Sequence, residues 1–174
     1  MSGHNKWSQI KNRKGAQDAK KSLSFSKLLA LIVVAAKASP DPDKNPRLRA
    51  AIQRARDGNV PLANIERAIN KAAEQKDLTE VLIEAYGPEG IGMLIEGITD
   101  NTNRTISEVR HLLDENGAKM AGQGGVAWSF EKTPGGWQVK MPQPASEEAK
   151  KKIEELIVIL EEHNDIQRVI TNAS

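Results

Sequence analysis

At Leu78 the hydrophobic periodicity of this 174-residue chain changes, and that change limits what it can fold into. Upstream, apolar residues recur at helical spacing between proline and glycine breaks. Downstream they alternate or run together as strands do. A long first helix is expected over about Ala16 to Ala38, ended by Ser39-Pro40-Asp41-Pro42-Asp43, because proline cannot continue the ladder and biases its predecessor away from it. A second runs from Pro46 to Asp57 with Leu48, Ile52 and Ala55 on one stripe. After Gly58-Asn59, a third starts at Pro61 and turns Ile65, Ala68, Ile69 and Ala72 inward. Short connections make these three an antiparallel bundle over residues 1–76, with a basic amino-terminal arm projecting from it.

Residues 77–174 read differently. Val81 to Tyr86 and Ile91 to Thr99 are expected strands joined by Gly87-Pro88-Glu89-Gly90, and Asn103 or Thr105 caps a helix from about Arg104 to Asn116 that Gly117 closes. Val126 to Lys132 alternates, placing Val126, Trp128 and Phe130 on one side. Pro134-Gly135-Gly136 then turns the chain into Trp137 to Met141, followed by a helix over Ser146 to His163 and a strand over Ile166 to Thr171. From Ile91 onward the order is β-α-β-β-α-β, the ferredoxin-like plan, with Val81 to Tyr86 as one extra strand. The fold class is therefore α+β: a three-helix bundle followed by a ferredoxin-like domain.

Charge divides at the same boundary. Residues 1–76 hold sixteen Lys and Arg against six Asp and Glu, while the remainder holds nine against seventeen. A near-neutral total of +2 thus hides a basic half and an acidic half. Within Met1 to Lys27, Lys6, Lys11, Arg13, Lys14, Lys20, Lys21 and Lys27 face a single anion, Asp18, and Trp7 sits among them. Such a cluster releases counterions from a phosphate polymer, and a tryptophan can stack on an unpaired base. A solvated basic arm pinned by Trp7 is the plainer alternative. On the second helix, Arg47 and Arg54 flank the buried stripe on one side and Arg49 and Arg56 on the other, which suits a shared phosphate-binding face.

Other chemistry is sparsely represented. The absence of cysteine excludes disulfides and thiolate chemistry and leaves the cytoplasm as the default compartment. The longest apolar run, Leu28 to Ala36, falls far short of the ~20 residues needed to span a bilayer, so no membrane role is expected. A basic amino terminus also fits a transit peptide, but Asp18 weighs against that reading. His4, His111 and His163 show no ligand spacing, and no phosphate loop, nucleophile elbow or HExxH is present. No metal, cofactor or catalytic residue is assigned. An enzyme stays a remote alternative without a nameable reaction.

Two polar or aromatic clusters remain. Asp100-Asn101-Thr102-Asn103-Arg104 suits a turn and cap, yet Arg104 in a first helical turn opposes the helix dipole and hints at an external anion or a partner carboxylate. Trp128 and Phe130 invite comparison with RNA-recognition modules, but those stack bases on the two central strands. Core packing suits both residues better here, leaving the acidic domain as a scaffold or protein-contact module.

Several segments together carry a resemblance: Gly3-His4-Asn5-Lys6-Trp7, Arg13-Lys14, Gln17-Asp18-Ala19-Lys20, Asn45-Pro46-Arg47-Leu48-Arg49-Ala50-Ala51-Ile52, and Ile65-Glu66-Arg67-Ala68-Ile69. Tyr86-Gly87-Pro88, Thr99-Asp100-Asn101, Asn103-Arg104-Thr105, Glu108-Val109-Arg110-His111 and Asn172-Ala173 follow in order. Nearly end to end, the chain resembles the YebC/PmpR family, which includes the mitochondrial translational activator of cytochrome c oxidase. The resemblance implies a helical domain followed by α/β domains, nucleic-acid binding and no catalysis. Some members are labelled DNA-binding transcriptional regulators, while others act on the ribosome and help synthesis through proline-rich stretches. Carried over onto matching motifs, the expected nucleic-acid contacts are Lys6, Trp7, Lys11, Arg13, Lys14, Lys20, Arg47, Arg49 and Arg104.

Two departures accompany the match. Where family members usually bear a further inserted α/β domain, this chain has only Thr133-Pro134-Gly135-Gly136, and Leu28 to Ala36 is more apolar than the family suggests. The combined expectation is a regulator of translation acting through RNA or the ribosome, with DNA-binding transcription control as the alternative.

Overall fold

The computed structural model describes residues 3–74 and 77–174, with side chains from Ala16 onward. The chain divides into two compact units, Met1–Gln75 and Lys76–Ser174.

The first unit holds helices α1 (Gly3–Ala36), α2 (Pro46–Asp57) and α3 (Leu62–Lys71). Here α1 begins thirteen residues before the expected Ala16 and includes the stretch read as an arm. One interior glycine, Gly15, costs a helix only about 1 kcal/mol and does not break it. Ile32, Val33, Ala35 and Ala36 are buried, so the apolar run is the part of α1 that meets α2 and α3. Facing residues are Leu48, Ala51, Ile52 and Ala55 from α2 and Ile65 and Ala68 from α3, as helical spacing predicts.

Asn45 fastens this unit. Its side-chain oxygen accepts from Leu48 N–H at 3.0 Å, capping α2, while its amide donates to the carbonyls of Ala35 and Ser39, each at 2.8 Å. One buried side chain thus closes the end of α1, the proline loop and the start of α2.

In the second unit, β1 (Thr79–Tyr86), β2 (Gly92–Thr99), β3 (Lys119–Met120) and β6 (Ile166–Thr171) form an antiparallel sheet ordered β3-β1-β2-β6. Helices α4 (Thr102–Glu115) and α5 (Glu147–Glu161) cover one face, packing Val109, Leu113, Ile153, Leu156 and Leu160 against Ile83, Ala85, Met93 and Ile95. On the opposite face Leu94 meets Val126 and Phe130. Being buried on both faces explains why β2 is almost continuously apolar.

The α+β class stands, but the strands are distributed differently from the ferredoxin-like plan. Val81 to Tyr86 belongs to β1, which pairs with β2 along its whole length and with β3, and so lies inside the sheet. The hairpin strands β4 (Phe130–Thr133) and β5 (Gly136–Val139) make a separate two-stranded sheet. Strand β3, hidden in sequence by being two residues long, forms the sheet edge beside β1.

The expected strand over Val126 to Lys132 also changes. Ala127–Ser129 forms a turn of 3₁₀ helix, burying Val126 and Phe130 while leaving Trp128 64% exposed. Its cause is Glu84 on β1, whose carboxylate accepts from the N–H groups of Gly124, Val126 and Ala127 at 2.6, 2.7 and 2.8 Å. Converging three amides on one carboxylate curls the backbone and ends the alternation. Trp128 consequently leaves the core that its spacing assigned to it.

Candidate nucleic-acid interface

In the first unit the expected contact residues fall on α1 and the start of α2. Lys20 is exposed on α1, and Arg47 and Arg49 are exposed in the first turn of α2. Lys6, Trp7, Lys11, Arg13 and Lys14 fall in the α1 segment whose side chains lie outside the described residues. Burial of Leu48, Ala51, Ile52 and Ala55 leaves Arg47 with Arg54 on one flank of the stripe and Arg49 with Arg56 on the other.

Placement of these arginines bears on their role. Arg54 and Arg56 sit in the last turn of α2, where a cation favours the helix dipole. Arg47 and Arg49 sit at its opposite end, where no acidic residue occupies the first turn. A cation there costs helix stability, so helix formation does not account for them. Arg49 braces the proline loop by donating to Pro42 O at 3.1 Å. Among the described residues, no carboxylate pairs with Arg54, Arg56 or Arg67.

Arg104 lies in the second unit and has a different environment. Asn101 caps α4 through Arg104 N–H at 3.0 Å, replacing Asn103 and Thr105 as the expected cap. The Arg104 guanidinium reaches Asp165 at 2.8 Å and Asp100 at 2.9 Å, with Glu108 at 3.9 Å. Those hydrogen bonds to Asp165 and Asp100 raise its pKa. The anion foreseen for Arg104 is therefore internal. Thr105, buried, donates to Asp165 at 2.6 Å and contacts Thr99 at 2.8 Å. Burial pushes the Asp165 carboxyl up, but the bonds from Thr105 and Arg104 outweigh it and leave the pKa lowered.

Beside this network is a cleft of about 490 Å³ lined by Arg104, Glu108, Glu162, His163, Asn164 and Asp165. Three carboxylates against one guanidinium make it unfavourable for phosphate. Glu108, His163 and Asp165 place one potential metal-ligand atom each within 4.8 Å of one another, a grouping that sequence spacing does not reveal. Hydrogen bonding assigns the imidazole's proton, however. Asp165 N–H donates to His163 Nδ1 at 3.1 Å, so in the neutral ring the proton is on Nε2, which meets Glu108 at 2.8 Å. A metal would need that same nitrogen's lone pair, and Arg104 already holds Asp165.

Sequence reasoning missed that Tyr86 and Trp128 meet. Tyr86 Oη and Trp128 Nε1 both donate to the Gly125 carbonyl, at 2.8 and 2.9 Å, although 42 residues separate them in the chain. No local pattern links them; only the loop held by Glu84 does.

Residues 5–75 match the family model for the TACO1/YebC protein N-terminal domain, and residues 78–135 match that for the TACO1/YebC second and third domain. This chain belongs to the TACO1/YebC family. Of its relatives in that family, a probable transcriptional regulatory protein of Petrotoga mobilis is 51% identical over 136 residues, which is 76% of this chain and 54% of that protein. One of the same description from Thermosipho africanus is 52% identical with the same coverage. The chain thus spans about half the length of the curated relatives it matches. A crystal structure of a conserved hypothetical protein, Aq1575 from Aquifex aeolicus, aligns with TM-score 0.82 at 29% identity, covering 90% of this chain and 91% of that one. The TACO1/YebC match ends at residue 135, inside the β4–β5 turn, where this member has a hairpin. Among the described residues, no helix is long and apolar enough to cross a membrane.

Proposed function

We propose that this TACO1/YebC member is a nucleic-acid-binding regulator of gene expression that acts by binding and not by turnover. The helical unit holds the phosphate backbone, and the acidic unit is left for protein contact. One observation carries this reading: α2 presents arginines on both flanks of its buried stripe, at the dipole-unfavourable end as well as the favourable one. Lys20, Arg47 and Arg49 join Lys6, Trp7, Lys11, Arg13 and Lys14 as the contact set. Arg104, neutralised by Asp100 and Asp165, is not among them.

RNA or the ribosome, and hence translation, is the favoured target. Sequence-specific readout of duplex DNA needs side chains free to meet base edges. The one amide on α2, Gln53, is turned to Asp57 at 2.8 Å. DNA-bound transcription control is the second reading, favoured by the description of the relatives as probable transcriptional regulatory proteins.

Replacing Lys11, Arg13 and Lys14 together with Ala is expected to weaken binding to every sequence and to flatten the salt dependence, by roughly 0.7 to 0.9 in log–log slope for each phosphate that is no longer neutralised. Titrations of single-stranded RNA and duplex DNA over a salt series measure this. Unchanged slope and affinity would mean a merely solvated cluster. Sedimentation of cell extract at low and high salt then separates the targets: the protein is expected with ribosomes, and retention on promoter DNA against RNA competitor would reverse the order.

A further inference from the structure

We propose that Tyr86 and Trp128 form a base-stacking site for single-stranded nucleic acid on the sheet unit. This rests on the nucleic-acid reading above but assigns a contact to the half of the molecule whose net charge argues against one.

Four observations point there. First, the two residues are 41% and 64% exposed, yet each side chain spends its only polar hydrogen on the same carbonyl, that of Gly125. Their edges are tied while much of their surface remains open. A ring held at its edge stacks without first losing rotamer freedom. Second, Tyr86 ends β1, an interior strand of the sheet, and lies on the face opposite α4 and α5. Single-stranded RNA is commonly read on interior strands of such a face by stacking aromatics.

Third, the local charge differs from that of the unit as a whole. Lys119 pairs directly with Tyr86 across the β1–β3 ladder, so both side chains share a face. Lys140 follows β5, its N–H bonded to the carbonyl of Ser129, next to Trp128. Both lysines are exposed and suit the phosphates flanking a stacked base. Fourth, the nearest acid along this face of β1 is withdrawn: Glu84 is turned to the N–H groups of Gly124, Val126 and Ala127. Glu80, on the same face, is at the far end of the strand, roughly 20 Å away at ~3.3 Å per residue.

Stacking adds affinity without counterion release, and this separates the site from the basic helices. In the full chain, Trp128→Ala is expected to lower affinity for a short oligo(U) strand about tenfold. Affinity for a duplex and the salt slope should not move. Trp128→Phe keeps a ring but loses the indole N–H, and should retain most of the affinity. An oligo(U) strand carrying 5-iodouridine should crosslink, on irradiation, to the peptide containing Trp128 or Tyr86. Unchanged single-strand affinity in Trp128→Ala, or crosslinks confined to the helical unit, would overturn the site and leave the face to a protein partner. Failure of the unsubstituted chain to bind any nucleic acid would refute the broader reading as well, and so is distinguishable. Loss in Trp128→Phe equal to that in Trp128→Ala would assign Trp128 a purely structural role in holding the loop.

Discussion

The helical unit fastens its main loop with a neutral amide, Asn45, whereas the sheet unit fastens its own with a carboxylate, Glu84. Both side chains are buried and each makes three hydrogen bonds to backbone. The two units also differ in how most of their arginines are met, although Arg110 of the sheet unit reaches only Met120 Sδ, at 3.7 Å. In the sheet unit, Arg104 meets Asp100 and Asp165, and Arg168 meets Glu96 at 3.1 Å. In the helical unit, Arg54, Arg56 and Arg67 have no carboxylate partner among the described residues. Arg104 and Arg168 are thus matched to carboxylates within the sheet unit, while Arg54, Arg56 and Arg67 are left unmatched among the described residues of the helical one. Net charge alone therefore does not locate a polyanion contact: a cation already matched to carboxylates offers a phosphate little.

Removing the buried charge tests this difference most severely. Glu84→Ala strands three N–H groups in the loop, and the sheet unit should lose about 3 kcal/mol or more, at ~1 kcal/mol or more for each unsatisfied donor. Amide hydrogen exchange at Gly124, Val126 and Ala127 should accelerate first, with the helical unit unaffected. Equal destabilisation of both units would show that they are not independent. Asn45→Ala is the matching test and should cost about 2 kcal/mol, combining a lost N-cap with two carbonyls left short of a donor. Its effect should appear in α2 exchange rates and spare the sheet.

The smallest effect is that of pH, which acts on only one of the two fastenings. Burial pushes the Glu84 carboxyl up, but the three amide donors more than offset this, so the folded value lies below the ordinary glutamate range. Asp165 is depressed in the same net direction. A depressed carboxyl contributes stability above its unfolded value, ~4.3 for Glu and ~3.9 for Asp, and loses it as pH falls through the folded one. Acid titration followed by exchange should therefore loosen the sheet unit first, with the Asn45-fastened loop holding. Simultaneous loosening of both loops would contradict that assignment.

Much of this architecture was legible in the chain. Helix α2 begins and ends at the residues its spacing, proline and glycine indicate, and β6 covers Ile166 to Thr171 as expected. Local chemistry suffices there, because a periodic stripe and its caps are properties of neighbouring residues. The motif Asn172-Ala173 was visible only as part of a resemblance. Its reason is tertiary: Asn172 accepts from Gly92 N–H at 2.8 Å and donates to Met141 O at 3.1 Å, tying β2 to the segment after the hairpin.

The placement of Arg47 and Arg49 was legible in the sequence, and that of Trp128 was not. Arg47 and Arg49 follow from a helical wheel. Trp128 obeys a strand alternation that the structure overrides, because Glu84, 42 residues before Val126, draws the backbone into a turn. Residue type and spacing were enough to set the boundary between helical and strand periods, the separation of charge, and the family to which the chain is similar, since each is a property of the linear order. Which strands share the sheet, which arginines are neutralised and where Trp128 points were settled by folding alone. Those outcomes depend on hydrogen bonds and ion pairs between residues tens of positions apart, and no local pattern specifies such partners.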